Sequence, residues 1–285
     1  MRSRPGLFFQ SLGLTLLLLL PMIGVVLFLV GQREQQNALR QAAARQGSVA
    51  VETGAQNTHR ILVAVQGETP AFLLLRLDGP ARTVTFCGLP DRMLVDAPTG
   101  QTTLGDCYLT AGPARAAQLL ADTIGLEPDA YFAATADCYA GFLEETATAR
   151  LDTASLLDKE TRIALGYGTE TVAELTPETA EPWILQLSEM LPEPESASIR
   201  AAVWAAFFRQ EPSRLTQLAQ AARDNSARTL TDLLAQDLYT VEETLTYLAE
   251  QSTLTVQYLV PEGSENASGW QLDEEGTDLL RELLG

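Results

Sequence analysis

The sequence is poor in the residues that most often bind metals or carry covalent chemistry. Its 285 residues include one histidine, His59, and three cysteines, Cys87, Cys107 and Cys138. A zinc site usually takes four N/S ligands, so this inventory leaves almost nothing for one. No Cys-x-x-Cys pair occurs, which removes zinc knuckles and thioredoxin-type dithiols. Positive charge is scarce as well. There are 19 Lys+Arg against 37 Asp+Glu, the net charge is −18, and Lys159 is the only lysine. That balance argues against a nucleic-acid partner, which needs a basic patch. There is no Walker loop and no serine nucleophile elbow. Gly166-Tyr167-Gly168 lacks the third glycine and the strand–turn–helix setting of a dinucleotide loop. At 46% hydrophobic and 7% aromatic, the chain is too apolar for a disordered acidic polymer.

The most conspicuous feature present is an uncharged run, Leu7–Val30 (LFFQSLGLTLLLLLPMIGVVLFLV). As a helix its 24 residues reach about 36 Å, enough to cross a bilayer core of about 30 Å. A cleaved signal has a shorter apolar region and a small-residue cleavage site, and Gly31-Gln32-Arg33-Glu34 is a poor one. We therefore expect residues 1–6 in the cytoplasm, 7–30 as a transmembrane signal anchor, 31–59 as a polar juxtamembrane helix and linker, and 60–285 as an extracytoplasmic domain. The cell membrane is the expected location, in a single pass. In an exported domain three cysteines allow one disulfide, with Cys107–Cys138 the candidate pair, or else three buried thiols.

Ile61–Gln66 and Ala71–Leu77 read as buried strands. Thr83–Cys87 alternates polar and apolar residues, and Asp78-Gly79-Pro80 marks the turn before it. Asp91–Gly105 reads as loop. Pro113–Ile124 has helical spacing, with Gly125 as its stop. Tyr131–Thr135 is strand-like, and Asp137 is placed to cap a helix running on through Phe142–Glu145. From about residue 175 the pattern is mostly helical: Glu181–Leu191, Ala197–Arg209, Ser213–Ala222, Ala227–Ala235 and Val241–Gln251. Leu254–Leu259 alternates as an edge strand, and Asp273–Leu284 closes as a helix. The fold class is α/β, a three-layer α/β/α domain with a mostly helical C-terminal part, preceded by one transmembrane helix.

Chemistry is most plausibly sited at Gly88-Leu-Pro-Asp-Arg-Met93. This stretch follows a strand end, the usual location of sites in α/β sheets, and carries both a carboxylate and a guanidinium. Arg92 offers a fork-shaped anion donor and Asp91 an oxygen ligand for Mg²⁺. The local alternative is a surface salt bridge in a turn.

The order of these segments resembles the LytR–CpsA–Psr (LCP) family of cell-envelope proteins. The resemblance lies in Arg60–Gly67 (RILVAVQG), Phe72–Asp78 (FLLLRLD), Thr83–Val95 (TVTFCGLPDRMLV), Leu104–Gly112 (LGDCYLTAG), Gly125–Ala133 (GLEPDAYFA) and Ala164–Tyr167 (ALGY). It implies an α/β/α domain with an apolar pocket for a polyprenyl chain. It also implies Mg²⁺-dependent transfer of glycopolymers from a polyprenyl diphosphate carrier to peptidoglycan. Arginines at the pocket mouth and a metal-holding aspartate would do this work.

Several charged positions of that pattern are replaced here. Its Asp-Thr falls on Pro70-Ala71, its Pro-Arg-Asp on Pro90-Asp91-Arg92, and its Arg-x-Arg on Thr169 and Thr171, while a Gly-Gly-Val is absent from Glu145–Leu151. Asp91 and Arg92 thus remain the catalytic candidates, with Asp91 also the metal candidate. Arg76, Arg82 and Arg115 are the candidates to supply further ligand-binding cations. The expectation is a binder of polyprenyl-(di)phosphate-linked precursors, or of a peptidoglycan-assembly protein, with reduced or no catalysis. An active phosphotransferase and an acidic interaction domain without a lipid pocket are the alternatives.

Overall fold

The computed structural model describes residues 54–98, 100–167 and 171–285. The expected membrane span at 7–30, the linker up to residue 53, and Thr169 lie outside the described residues. Among the described residues no helix is long and apolar enough to cross a membrane.

In chain order the elements are β1 (Thr58–Gln66), β2 (Ala71–Asp78), β3 (Thr83–Leu89), β4 (Leu94–Ala97), β5 (Gly100–Thr103), α1 (Leu104–Ile124), β6 (Ala130–Thr135) and α2 (Ala136–Ala140). Next come β7 (Ala149–Asp152), α3 (Thr153–Leu156), α4 (Lys159–Ala164), β8 (Val172–Leu175), α5 (Pro177–Ser188), α6 (Glu195–Gln210) and α7 (Leu215–Asp224). The chain closes with β9 (Thr229–Thr231), α8 (Ala235–Glu250), β10 (Thr255–Leu259), β11 (Gly263–Asn266), β12 (Gly269–Leu272) and α9 (Glu274–Leu284).

The central sheet has the order β10-β3-β2-β1-β6-β9. It is mixed. β1–β2, β2–β3 and β6–β9 are antiparallel, whereas β1–β6 and β3–β10 are parallel. Both faces of its inner strands are apolar, as expected of strands covered on both sides. Ile61, Val65, Leu73, Leu77, Phe86 and Phe132 point to one face and pack with residues of α5, α6, α7 and α8. Leu62, Ala64, Phe72, Leu74, Cys87 and Leu89 point to the other and pack with α1 and α9. These two cores, one per face, make the three layers expected from the sequence.

Some local expectations are corrected. The loop expected after Asp91 contains the β4–β5 hairpin, because Met93 and Val95 bury themselves in the α1-side core. The helix read at Pro113 begins earlier, at Leu104, and is broken at Gly112, whose φ of 80° suits glycine. The helix after Asp137 ends at Ala140 and is capped by Thr135. No helix spans Ala227–Ala235. Thr231 and Asp232 instead bond to the backbone O and N–H of Tyr131 and hold β9 on the sheet edge.

The expected Cys107–Cys138 bridge is absent. All three thiols are free and buried, and Cys107 and Cys138 belong to the cores on opposite faces of the sheet. Burial raises all three thiols, Cys87 to about 12, so they act as small apolar side chains.

One close contact positions everything that follows. Gly88, near the end of β3, lies directly against α6, and a Cβ there would sit 2.1 Å from the carbonyl oxygen of Ala197. Backbone on both sides leaves no flexible side chain to give way. Gly88→Ala is expected to cost at least about 2 kcal/mol by forcing the two elements apart. Chemical unfolding of the full-length protein checks this, and a loss under about 0.5 kcal/mol would contradict the contact.

Candidate functional site

Two cavities of opposite character flank α6. The first lies between the sheet and α6, α7 and α8 and has a volume of about 120 Å³. The sheet contributes Val63, Leu75 and their neighbours, and the helices contribute Trp204, Phe208 and Val241. Phe86 and Phe208 stack along one wall with ring centroids 5.6 Å apart. Its lining side chains are aliphatic and aromatic apart from the hydroxyl of Tyr139, which donates to the carbonyls of Ala64 and Phe132. The few convergent polar groups that a small-molecule pocket normally carries are missing.

The second cavity is a cleft of about 490 Å³ at the end of β3. The contact at Gly88 brings Asp91 and Arg92 up to the start of α6, where Glu193, just before the helix, and Ser196 and Arg200 within it line the opposite wall. Glu189 and Glu265 complete its charged lining. Asp91 and Arg92 also line a smaller hollow of about 300 Å³ with Glu68, Thr103 and Asp106. Carboxylates therefore outnumber guanidinium groups around both openings.

Neither arginine of the cleft is free. Arg92 pairs with Glu265 on the surface, both side chains more than a third exposed, and such a pair contributes under about 1 kcal/mol. Arg200 is 6% exposed and donates from Nη2 to Glu181 Oε2 at 3.3 Å. Its Nε is buried without a partner. Glu181 Oε1 accepts from Trp204 Nε1 at 3.0 Å. Arg200 and Trp204 are one turn apart on α6, so one carboxylate ties a residue of the charged cleft to a residue of the apolar cavity.

Burial raises the Asp91 carboxyl above its ordinary range, against the opposing pull of Arg92 and Arg200. It pushes Glu193 up to about 7; the Asp91 charge adds to this, while the Ser196 hydroxyl, donating to Glu193 Oε1, opposes it. Glu193 Oε2 has no partner.

The α1 N-terminus, beside Asp91, offers no anion cradle. Its first amides are already used: Leu104 donates to Met93, Gly105 to Asp91 and Asp106 to the Thr103 hydroxyl. Mg²⁺ commonly rests on one or two carboxylates together with substrate phosphates. Asp91, Glu68 and Asp106 share the hollow, yet among the described residues no three His, Cys, Asp or Glu side chains converge as a cation site. The donor set does not form a metal site by itself.

Asp91 and Arg92 thus share one site, as expected. The other expected cations are elsewhere. Arg76 is near the far end of β2, paired with Asp78 at 2.9 Å and donating to the Glu282 carbonyl. Arg82 sits in the β2–β3 turn and donates to Tyr247. Arg115 lies on α1 and donates to Gln118. None of the three lines either charged opening or the apolar cavity. Arg200, Glu193 and Glu181 were missed. The visible signal was only an arginine and a tryptophan four apart in an apolar helix.

No family profile and no curated protein sequence matches this chain. Solved structures do. A protein of Eubacterium siraeum matches with a TM-score of 0.66 at 14% identity, over 85% of this chain and 95% of that one. B. subtilis TagV matches with a TM-score of 0.57 at 14% identity, over 80% and 96%. B. subtilis TagT, in a structure bound to LIIa-WTA, matches with a TM-score of 0.57 at 11% identity, over 83% and 93%. TagV and TagT are LCP proteins. The described residues therefore have the LCP fold.

The raised Glu193 pKa carries a sign. A carboxylate whose folded pKa exceeds its unfolded value stabilises the fold below the unfolded pKa, and that contribution is lost as pH rises through the folded one. The wild type should thus gain stability over Glu193→Gln on acidification from pH 8 to pH 5, as read by chemical unfolding at both pH values. A difference independent of pH would contradict the assignment.

Proposed function

We propose that this protein is a membrane-anchored, extracytoplasmic LCP-like protein of cell-wall glycopolymer assembly. It binds polyprenyl-(di)phosphate-linked precursors with reduced or no transferase activity. The observation carrying this reading is the pairing of an almost wholly apolar cavity with a neighbouring cleft whose two arginines are both already matched to carboxylates. The cavity supports a prenyl chain over an interaction domain with a solid core. The TagT structure bound to LIIa-WTA supports a glycopolymer-linked ligand.

Physics limits the catalysis. Phosphoryl transfer relies almost entirely on positioning and charge stabilisation. A diphosphate entering this cleft meets Asp91, Glu189, Glu193 and Glu265 and finds no unpaired guanidinium. Each missing donor costs roughly 3 kcal/mol in the transition state, judged from single oxyanion-hole deletions. Asp91 and Arg92 keep the position of a catalytic pair without the surrounding cations, and a bound Mg²⁺ would lean on the ligand's own phosphates.

Native mass spectrometry of the full-length protein, extracted gently from its membrane, should reveal a co-purified polyprenyl phosphate or diphosphate. Val63→Phe, on a strand wall with room beside it, should fold normally and lose that lipid. A wild type without lipid, beside a transferase-active relative that keeps its own, would overturn the reading.

A further inference from the structure

The Glu181 carboxylate stands at the partition between the two cavities. It is 2% exposed and bonds in one direction to Arg200, which lines the charged cleft, and in the other to Trp204, which lines the apolar cavity. A buried carboxylate is costly unless paired, and this one is satisfied from both sides. Arg200 is less well served. A guanidinium carries five N–H donors, and here Nη2 meets Glu181 while Nε is buried and unmatched. Arg200 is more than nine-tenths buried and lines the cleft on the side of α6 next to the apolar cavity.

We infer that Glu181 is an internal counter-anion occupying Arg200 in place of a ligand's anionic headgroup, and so sets how strongly the site discriminates against charged prenyl lipids. This rests on the lipid-binding reading above and goes further, because it names the residue that weakens headgroup capture. Glu181 is thus a positioning residue. It acts through the orientation of Arg200 and holds Trp204, a wall residue of the apolar cavity. Asp91 and Glu193 add to the same negative field around Arg200. Removing the Glu181 charge alone should release the guanidinium toward the cleft. The amide oxygen of glutamine can still accept from Trp204, so that wall of the apolar cavity keeps its shape.

The test measures the binding of farnesol and of farnesyl phosphate, at pH 8, to the detergent-solubilised full-length protein. In Glu181→Gln, farnesyl phosphate should bind on the order of tenfold tighter than in wild type, the scale of one charge-assisted hydrogen bond, and farnesol should bind equally to both. Equal affinity of the two proteins for farnesyl phosphate would overturn the inference. Parallel changes for both ligands would also overturn it, since they mark a purely structural role. In Glu181→Met/Arg200→Met, an apolar exchange that buried pairs often tolerate, the gain should vanish. A gain of the same size there would rule out Arg200 as the recipient and overturn the inference even if the single variant fails to fold. A wild type that binds neither ligand would overturn the lipid reading itself, an outcome distinct from the others.

Discussion

The backbone contact between Gly88 and Ala197 is the constraint on which the candidate site depends. Asp91 and Arg92 follow β3, whereas Glu193 just precedes α6 and Ser196 and Arg200 belong to its start, more than a hundred residues later. They share one cleft only because β3 and α6 approach to a distance that admits no side chain between them. The same helix covers the sheet, so its first turns face the cleft and its later turns, through Trp204 and Phe208, face the apolar cavity. One helix thereby carries two environments of opposite polarity, with the Glu181–Arg200–Trp204 contacts between them.

Electrostatics then decides what these cavities can do. The apolar cavity is well suited to a hydrocarbon chain, since burying such a chain yields about 25 cal/mol for each Å² removed from water. The cleft is poorly suited to stabilise the growing charge of a phosphoryl-transfer transition state. Its guanidinium groups are paired internally, and Asp91 and Glu193 are raised by burial, Glu193 also by the charge of Asp91. That division is what the proposed reading, binding with little chemistry, rests on, in a chain that has the LCP fold but lacks several charged positions of the LCP pattern.

The sheet was legible in the sequence because its strands are short apolar runs with a clear turn at Asp78-Gly79-Pro80. The position of Asp91 and Arg92 at a strand end was legible for the same reason. The other cations were not. Arg76 and Arg82 precede Asp91 closely in sequence, but β2 runs away from the cleft and β3 runs back. From Ala71, at the cleft, to Arg76 the antiparallel strand already spans about 17 Å. Arg200 was hidden for a different reason. A buried arginine and a solvated one look alike in a helical pattern, and its partner Glu181 lies on another helix. Strand β9 escaped notice because three residues give no periodicity, and its pairing with β6 is held by the side chains of Thr231 and Asp232.

The central claim is that the space beneath α6, α7 and α8 holds a prenyl chain. Crystals grown with a bromine-tagged prenyl alcohol test it most directly, through the anomalous signal of the bromine. The account predicts a bromine peak among Val63, Leu75, Trp204 and Phe208, with the hydroxyl end directed toward Arg200. Protein side chains filling that space, or bromine bound only at the outer surface, would contradict it.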